Sequence, residues 1–338
     1  MKWQYSAGDT LIIGIGVPIV FSVGLCGNFA FLFVIARIKR MRTITNFYLG
    51  NIAIADMIFL TTASGFYLSS FAKSSLIEDT IFESSIGCTL NFLPCMTGYF
   101  GSMILVTLVT LERFYAICFP LQHRSINGKG RTVKLVIISW LISLAFGAAT
   151  VTGYGHHITY CFVWPETEEF HSIPTIKNAC TGFNNFFWLL STATETLPFL
   201  LTLCANTIMY VFIIKALGRR SVTKAEATQE TQMKRVRNQV AFMLIINGSL
   251  FFLCQAPYRI VAIENFVVEI TGDKFLSKSL HDTLLALGRT LFFINSAINT
   301  YVYNAVSPFY REAFKEAFCC VFVGKEAKAV SRTTTISN

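Results

Sequence analysis

Long apolar runs alternate with short polar breaks along the whole chain. Seven runs stand out, over residues 11–36, 46–72, 88–118, 133–154, 187–216, 238–268 and 282–305. Each reaches the roughly 20 residues that a helix needs to cross a bilayer. Most exceed it, so tilted or overhanging helices are expected. The short alternating segments of a transmembrane barrel are absent. No internal repeat is visible either, which argues against a transporter built from duplicated halves. The pattern therefore predicts an all-α membrane protein, a seven-transmembrane helix bundle.

Composition supports that reading. Of 338 residues, 53% are hydrophobic and only 14% charged, against about a quarter charged in ordinary soluble domains. A soluble fold of this size lacks the polar groups to cover so much apolar surface. Disorder is excluded by the same balance. Ten cysteines over this length are too thinly spread for a small disulfide scaffold.

Charge then orients the chain. Arg37, Lys39, Arg40 and Arg42 follow the first run rather than precede it. That order, and the length of the run, argue against a cleaved signal peptide. Basic residues gather on the breaks after the first, third and fifth runs and in the tail; on the other side stand only Lys2, Lys73, Lys177, Lys274 and Lys278. The net charge of +9 is thus a positive-inside signature, not a nucleic-acid signal. It predicts an external N-terminus and a cytoplasmic C-terminus. The Asn247-Gly248-Ser249 sequon lies inside the sixth run, so no glycosylation is expected there.

Two further elements are legible. Phe309, Ala313, Phe314, Ala317, Phe318 and Val321 form an apolar stripe opposite Arg311, Glu312, Lys315 and Glu316. This predicts an amphipathic eighth helix on the inner leaflet, contacting membrane lipid. Cys319 and Cys320 beside it are candidates for palmitoylation. Alternation over Ile158–Phe162 suits one strand of a β-hairpin in the loop after the fourth run.

The residues inside the runs carry a resemblance. The first holds Gly27-Asn28 and the second Asn51 and Ala55-Asp56. The third runs from Cys88 to Glu112-Arg113-Phe114, followed by Ile117 and Pro120-Leu121. The fourth has Trp140 and the fifth Pro198. The sixth reads Cys254-Gln255-Ala-Pro257-Tyr258, and the seventh has Asn295-Ser296 and Asn299 through Tyr303. In this order the set resembles the rhodopsin-like (class A) G-protein-coupled receptors. The loop Cys161-Phe-Val-Trp164-Pro165-Glu166 resembles the second extracellular loop of peptide-binding members.

The resemblance implies a division into a short extracellular N-terminus (1–10), a seven-helix receptor domain (11–305), a membrane-surface helix (306–321) and a cytoplasmic tail (322–338). It implies a plasma-membrane receptor that takes an extracellular ligand and activates a heterotrimeric G protein. It brings a disulfide from Cys88 to the second outer loop, with Cys161 as first partner and Cys180 as second. An allosteric sodium ion would be held by Asp56, Ser102, Asn295 and Asn299; the competing reading is a protonated Asp56 in a hydrogen-bonded core. No other cofactor is implied. Glu112 and Arg113, with Asn299 and Tyr303, would form the inner switch, Arg113 contacting Glu112 at rest. Phosphorylation between Ser331 and Ser337 would recruit arrestin.

Ligand class follows from what the runs hold. Cys95 stands where amine receptors carry an acid, and Phe293 where opsins carry the retinal lysine. Glu195, Arg259 and Arg289 are ionisable residues in the outer halves of the last three runs, and such charges mark cavities. With Asn91, Met96 and Tyr99 they form the candidate ligand site. The competing reading of Glu195 and Arg259 is an internal ion pair bracing the bundle. The outer loops are acidic (Glu166, Glu168, Glu169, Asp273, Asp282), which favours a short basic neuropeptide. Alternatives are a lipid or small organic acid bound through Arg259 and Arg289, a transporter or channel, or an intramembrane enzyme. Gln255, Thr300, Asn206 and Phe114 depart from the usual family residues, which points to altered activation energetics.

Overall fold

Helix starts in this chain are set by hydroxyl side chains outside the apolar runs. Thr43 accepts from Asn46 N–H, Ser84 from Gly87 N–H and Ser277 from Leu280 N–H, each capping a helix that then enters the apolar segment. The computed structural model describes residues 4–126, 128–166, 170–171, 173–220 and 229–319. Among them seven long helices run over Ala7–Arg37, Ile44–Lys73, Ser85–Cys118, Lys129–Val151, Asn185–Arg220, Gln229–Thr271 and Lys278–Val306. The first six are long and apolar enough to cross a membrane. The seventh is a continuous 29-residue helix packed on the first and sixth, and it carries Lys278, His281, Asp282 and Arg289.

The third helix is the hub, touching the second, fourth, fifth and sixth. Close approach at two points needs glycine. A Cβ on Gly98 would lie 2.7 Å from Ala55 O and one on Gly288 2.7 Å from Tyr258 N. The first contact presses the third helix onto the second beside Asp56. The second seats the seventh helix on the sixth beside Arg259. Polar ties pin the remaining helices. Asn28 donates to Ser296 O at 3.1 Å, Trp140 Nε1 to Asn51 at 3.1 Å and Asn206 to Thr107 at 2.9 Å. Apolar side chains on the outside, such as Leu141, Leu201 and Leu253, remain exposed, as a lipid-facing surface requires.

Strands β1 (His156–Cys161) and β2 (Ile176–Thr181) pair antiparallel as the hairpin expected after the fourth helix. The disulfide differs from the first expectation. Cys88 bonds Cys180, and Cys161 is a free, exposed thiol. Register explains the choice. His157 pairs with Cys180, and His157 N–H donates to Ser85 Oγ at 3.0 Å, which sets that point of the hairpin over the start of the third helix. Cys161 lies four residues along β1, about 13 Å away at strand rise.

A helix over 308–319 follows Ser307. Its Tyr310, Ala313 and Ala317 are fully buried, and Phe314 and Phe318 stack near Phe31 and Phe33. Much of the apolar stripe therefore faces the C-terminal end of the first helix. Tyr310 Oη donates to Asn46 at 2.5 Å, and Asn46 in turn donates to Met41 O at 2.7 Å. Cys319 is exposed on this helix. Val321, Cys320, Glu168, Glu169 and the 322–338 tail with its phosphorylation candidates lie outside the described residues. A short helix, Pro120–Ile126, was not expected from the sequence.

Candidate functional site

A cavity of about 250 Å3 opens at the end of the bundle that carries the hairpin. Met96, Tyr99, Glu195, Arg259 and Arg289 line it, together with Cys180 and Ala179 of β2. Asn91 is not on its lining. The sequence did not point to Phe66, Tyr67, Phe92, Tyr154, Tyr258 and Phe292, which give the cavity its aromatic walls. Nor did it point to Glu78, which belongs to the loop after the second helix and has a positive φ of 58°. Residue type alone gave no signal for these, because the chain holds 32 Phe and most line helix contacts or lipid.

Four charges face this cavity, and they are already matched. Arg259 meets Glu195 at 2.9 Å, with side chains only 3% and 5% exposed. This is the internal pair that competed with a free ligand anchor. The Arg259 guanidinium also lies 5.0 Å from the Tyr99 ring centre and 5.3 Å from that of Tyr258, so aromatic faces share its charge. Glu195 Oε1 and Arg259 Nε are buried without a hydrogen-bond partner among the described residues. Arg289 meets Glu78 at 3.0 Å, both side chains about 40% exposed, across the cavity mouth. The loop bearing Glu78 is itself held. Lys73 Nζ donates to Asp79 at 2.8 Å, and the Asn178 N–H of β2 donates to the same carboxylate at 2.9 Å.

Beneath lies a much smaller cavity of about 10 Å3, room for one water-sized occupant, lined by Asp56, Ser102, Gln255, Asn295 and Ser296 with Phe251 and Phe292. Asp56 accepts from Ser102 Oγ at 2.6 Å and from Asn299 Nδ2 at 2.5 Å. The Asn295 side-chain oxygen is buried there without a hydrogen-bond partner among the described residues. A carboxylate, hydroxyls and an orphaned amide oxygen around one small space fit a hard cation, which takes oxygen donors.

The opposite end of the bundle departs from the resemblance. Glu112 does not hold Arg113; its two carboxylate oxygens face His123 Nε2 at 2.7 Å and Arg131 at 3.7 Å. Successive helical residues point in different directions, so a histidine of the short helix Pro120–Ile126 reaches Glu112 more easily than its own neighbour does. Arg113 Nε is buried without a partner among the described residues, as is Tyr303 Oη. Tyr303 packs its ring 5.2 Å from Phe31 and 5.7 Å from Tyr310. Tyr210 Oη lies 3.4 Å from Thr110, so the tyrosine one turn beyond Asn206 does face the third helix.

Comparison of the sequence with known proteins points to one family. The model of the seven-transmembrane receptors of the rhodopsin family matches residues 27–303. Neuromedin-U receptor 1 of Mus musculus is 27% identical over 322 residues, covering 89% of this chain and 73% of that receptor. Galanin receptor 2b of Danio rerio is 25% identical, covering 94% and 77%. The thyrotropin-releasing hormone receptor of Homo sapiens is 26% identical, covering 90% and 77%. The chain belongs to the rhodopsin family of seven-transmembrane receptors.

Proposed function

We propose that this chain is a plasma-membrane receptor for a short peptide, and that peptide binding in the outer cavity activates a heterotrimeric G protein at the inner face. The N-terminus, the hairpin and the cavity mouth lie outside the cell; the helix over 308–319, the tail and Arg113 lie inside. The observation that carries the reading is the outer cavity, which is aromatic-walled, open at the hairpin end and lined by two ion pairs. The relatives are receptors for neuromedin-U, galanin and thyrotropin-releasing hormone, which supports a peptide occupant. The family is one of receptors, which sets the enzyme alternative aside. Both arginines already face carboxylates, which disfavours the alternative of an anion clamp for a lipid or acid.

The basic character of the peptide rests on the acidic mouth, where Glu78, Glu166, Asp273 and Asp282 concentrate a cation. Glu78 is the acid that such a ligand meets first, since it is about 40% exposed at the mouth while Glu195 is deep. Asp56, Ser102, Asn295 and Asn299, with Ser296, are the residues that would hold sodium. A bound cation would neutralise the buried carboxylate and favour one arrangement of the bundle over another. Arg113 and Tyr303, buried with polar atoms unmet, are the groups that the inner partner would engage, and arrestin would read the tail. Palmitate on Cys319 and Cys320 would fix the eighth helix to the leaflet.

A peptide library applied to cells expressing the chain, with G-protein activation as readout, tests the reading. Basic peptides should activate, and Glu78→Gln should reduce their potency more than that of neutral peptides. Activation confined to lipids or small acids would overturn it.

A further inference from the structure

The small cavity around Asp56 holds a feature that the resemblance does not account for. Most lining groups come from the second, third and seventh helices. Gln255 comes from the sixth, and its side-chain oxygen is buried without a hydrogen-bond partner among the described residues. Gln255 as a whole is 2% exposed. Asn295 presents a second orphaned amide oxygen to the same space. An unmet buried acceptor is destabilising unless something satisfies it. Two of them converging beside a carboxylate describe a donor set rather than two unrelated defects.

Helical geometry makes the convergence specific. Phe251 and Gln255 are four residues apart, so they share one face of the sixth helix, and both line this cavity. Asp56 is the one acid among the lining residues, and no lysine or arginine joins it. A site with a single carboxylate and several neutral oxygens suits a small monovalent cation better than a divalent one, which wants more charge.

We infer that Gln255 is an additional cation ligand of the Asp56 cavity, so that a sodium ion there ties the sixth helix directly to the second, third and seventh. This rests on the reading that sodium occupies the cavity. The residue that replaces the usual aromatic thus brings a carbonyl oxygen instead of a ring. Its consequence is mechanical. Moving the sixth helix away from the bundle axis withdraws one donor, so sodium holds the sixth helix in. By linkage, any ligand that moves that helix weakens sodium binding by the same factor.

The test uses the full-length purified receptor in nanodiscs. Thermal unfolding is followed as sodium chloride replaces choline chloride at constant ionic strength. The wild type should gain stability with sodium. Gln255→Leu should weaken the apparent sodium affinity by about tenfold or more, the usual range for groups supporting a metal site. Gln255→Glu, which keeps the oxygens and adds charge, should tighten it and serves if the leucine variant does not fold. Asp56→Asn should abolish the response. A sodium midpoint unchanged by both Gln255 variants, with Asp56 still required, overturns the role of Gln255 alone. A response surviving Asp56→Asn, or absent from the wild type, overturns the cation site itself and Gln255 with it.

Discussion

Removing one partner of the Glu195–Arg259 pair should injure the bundle more than removing both charges. The two side chains are 3% and 5% exposed and meet at 2.9 Å. Arg259→Met leaves a buried carboxylate bare, and breaking a buried pair this way costs about 3–5 kcal/mol. At roughly 2 °C per kcal/mol for a large domain, the apparent melting point should fall by about 6–10 °C. The double variant Glu195→Leu/Arg259→Met leaves no uncompensated charge. It should lie within about 1–2 kcal/mol of the wild type, because an apolar replacement of a buried pair is often near neutral. Glu195→Leu alone strands Arg259 and should cost a similar amount, so the coupling between the sites is on the order of 4–9 kcal/mol. Intrinsic fluorescence of purified receptor, heated in nanodiscs, measures all four proteins. Additive losses, with the double variant least stable of all, would refute the claim that the pair braces the bundle.

Other consequences are as direct. Peptide mapping without reductant should recover Cys88 linked to Cys180, while Cys161 should react with an impermeant maleimide on intact cells; a Cys88–Cys161 fragment would contradict the register argument. Gly98→Ala should destabilise by about 1–3 kcal/mol, since its Cβ would meet Ala55 O at 2.7 Å and backbone cannot yield as a side chain does; an unchanged melting point would show that the helices are less tightly apposed. His123→Ala should leave Glu112 to Arg131 alone and alter ligand-independent nucleotide exchange, measured as basal GTP uptake by the G protein; identical basal rates would remove His123 from the switch.

The bundle was legible because bilayer crossing demands long apolar runs whatever their detail. Each helix nonetheless overran its apolar run at the start. The run from 88 begins as a helix at Ser85 and the run from 282 at Lys278, since caps such as Ser84 and Ser277 are polar and lie outside the hydrophobic signal. The hairpin was legible from alternation, but not the disulfide. Cysteine choice depends on cross-strand register, and nothing local to Cys161 or Cys180 encodes which faces Cys88. Charged cavity residues stood out in apolar surroundings, so Glu195, Arg259 and Arg289 were visible. Glu78 was not, because an acid in a polar loop looks like any solvated side chain until the fold brings it 3.0 Å from Arg289. The partner of Glu112 was hidden for a similar reason, since it comes from the segment after the third helix rather than from the motif itself.

The central claim is that occupancy of the outer cavity is transmitted to a partner beneath the membrane. The most direct measurement is GDP release from a purified heterotrimer by receptor in nanodiscs, with and without a peptide that activates in cells. The account predicts acceleration that depends on the peptide, weakens with Glu78→Gln and disappears with Arg113→Ala. Release that is unaffected by every cell-active peptide, or acceleration that survives Arg113→Ala undiminished, would contradict it.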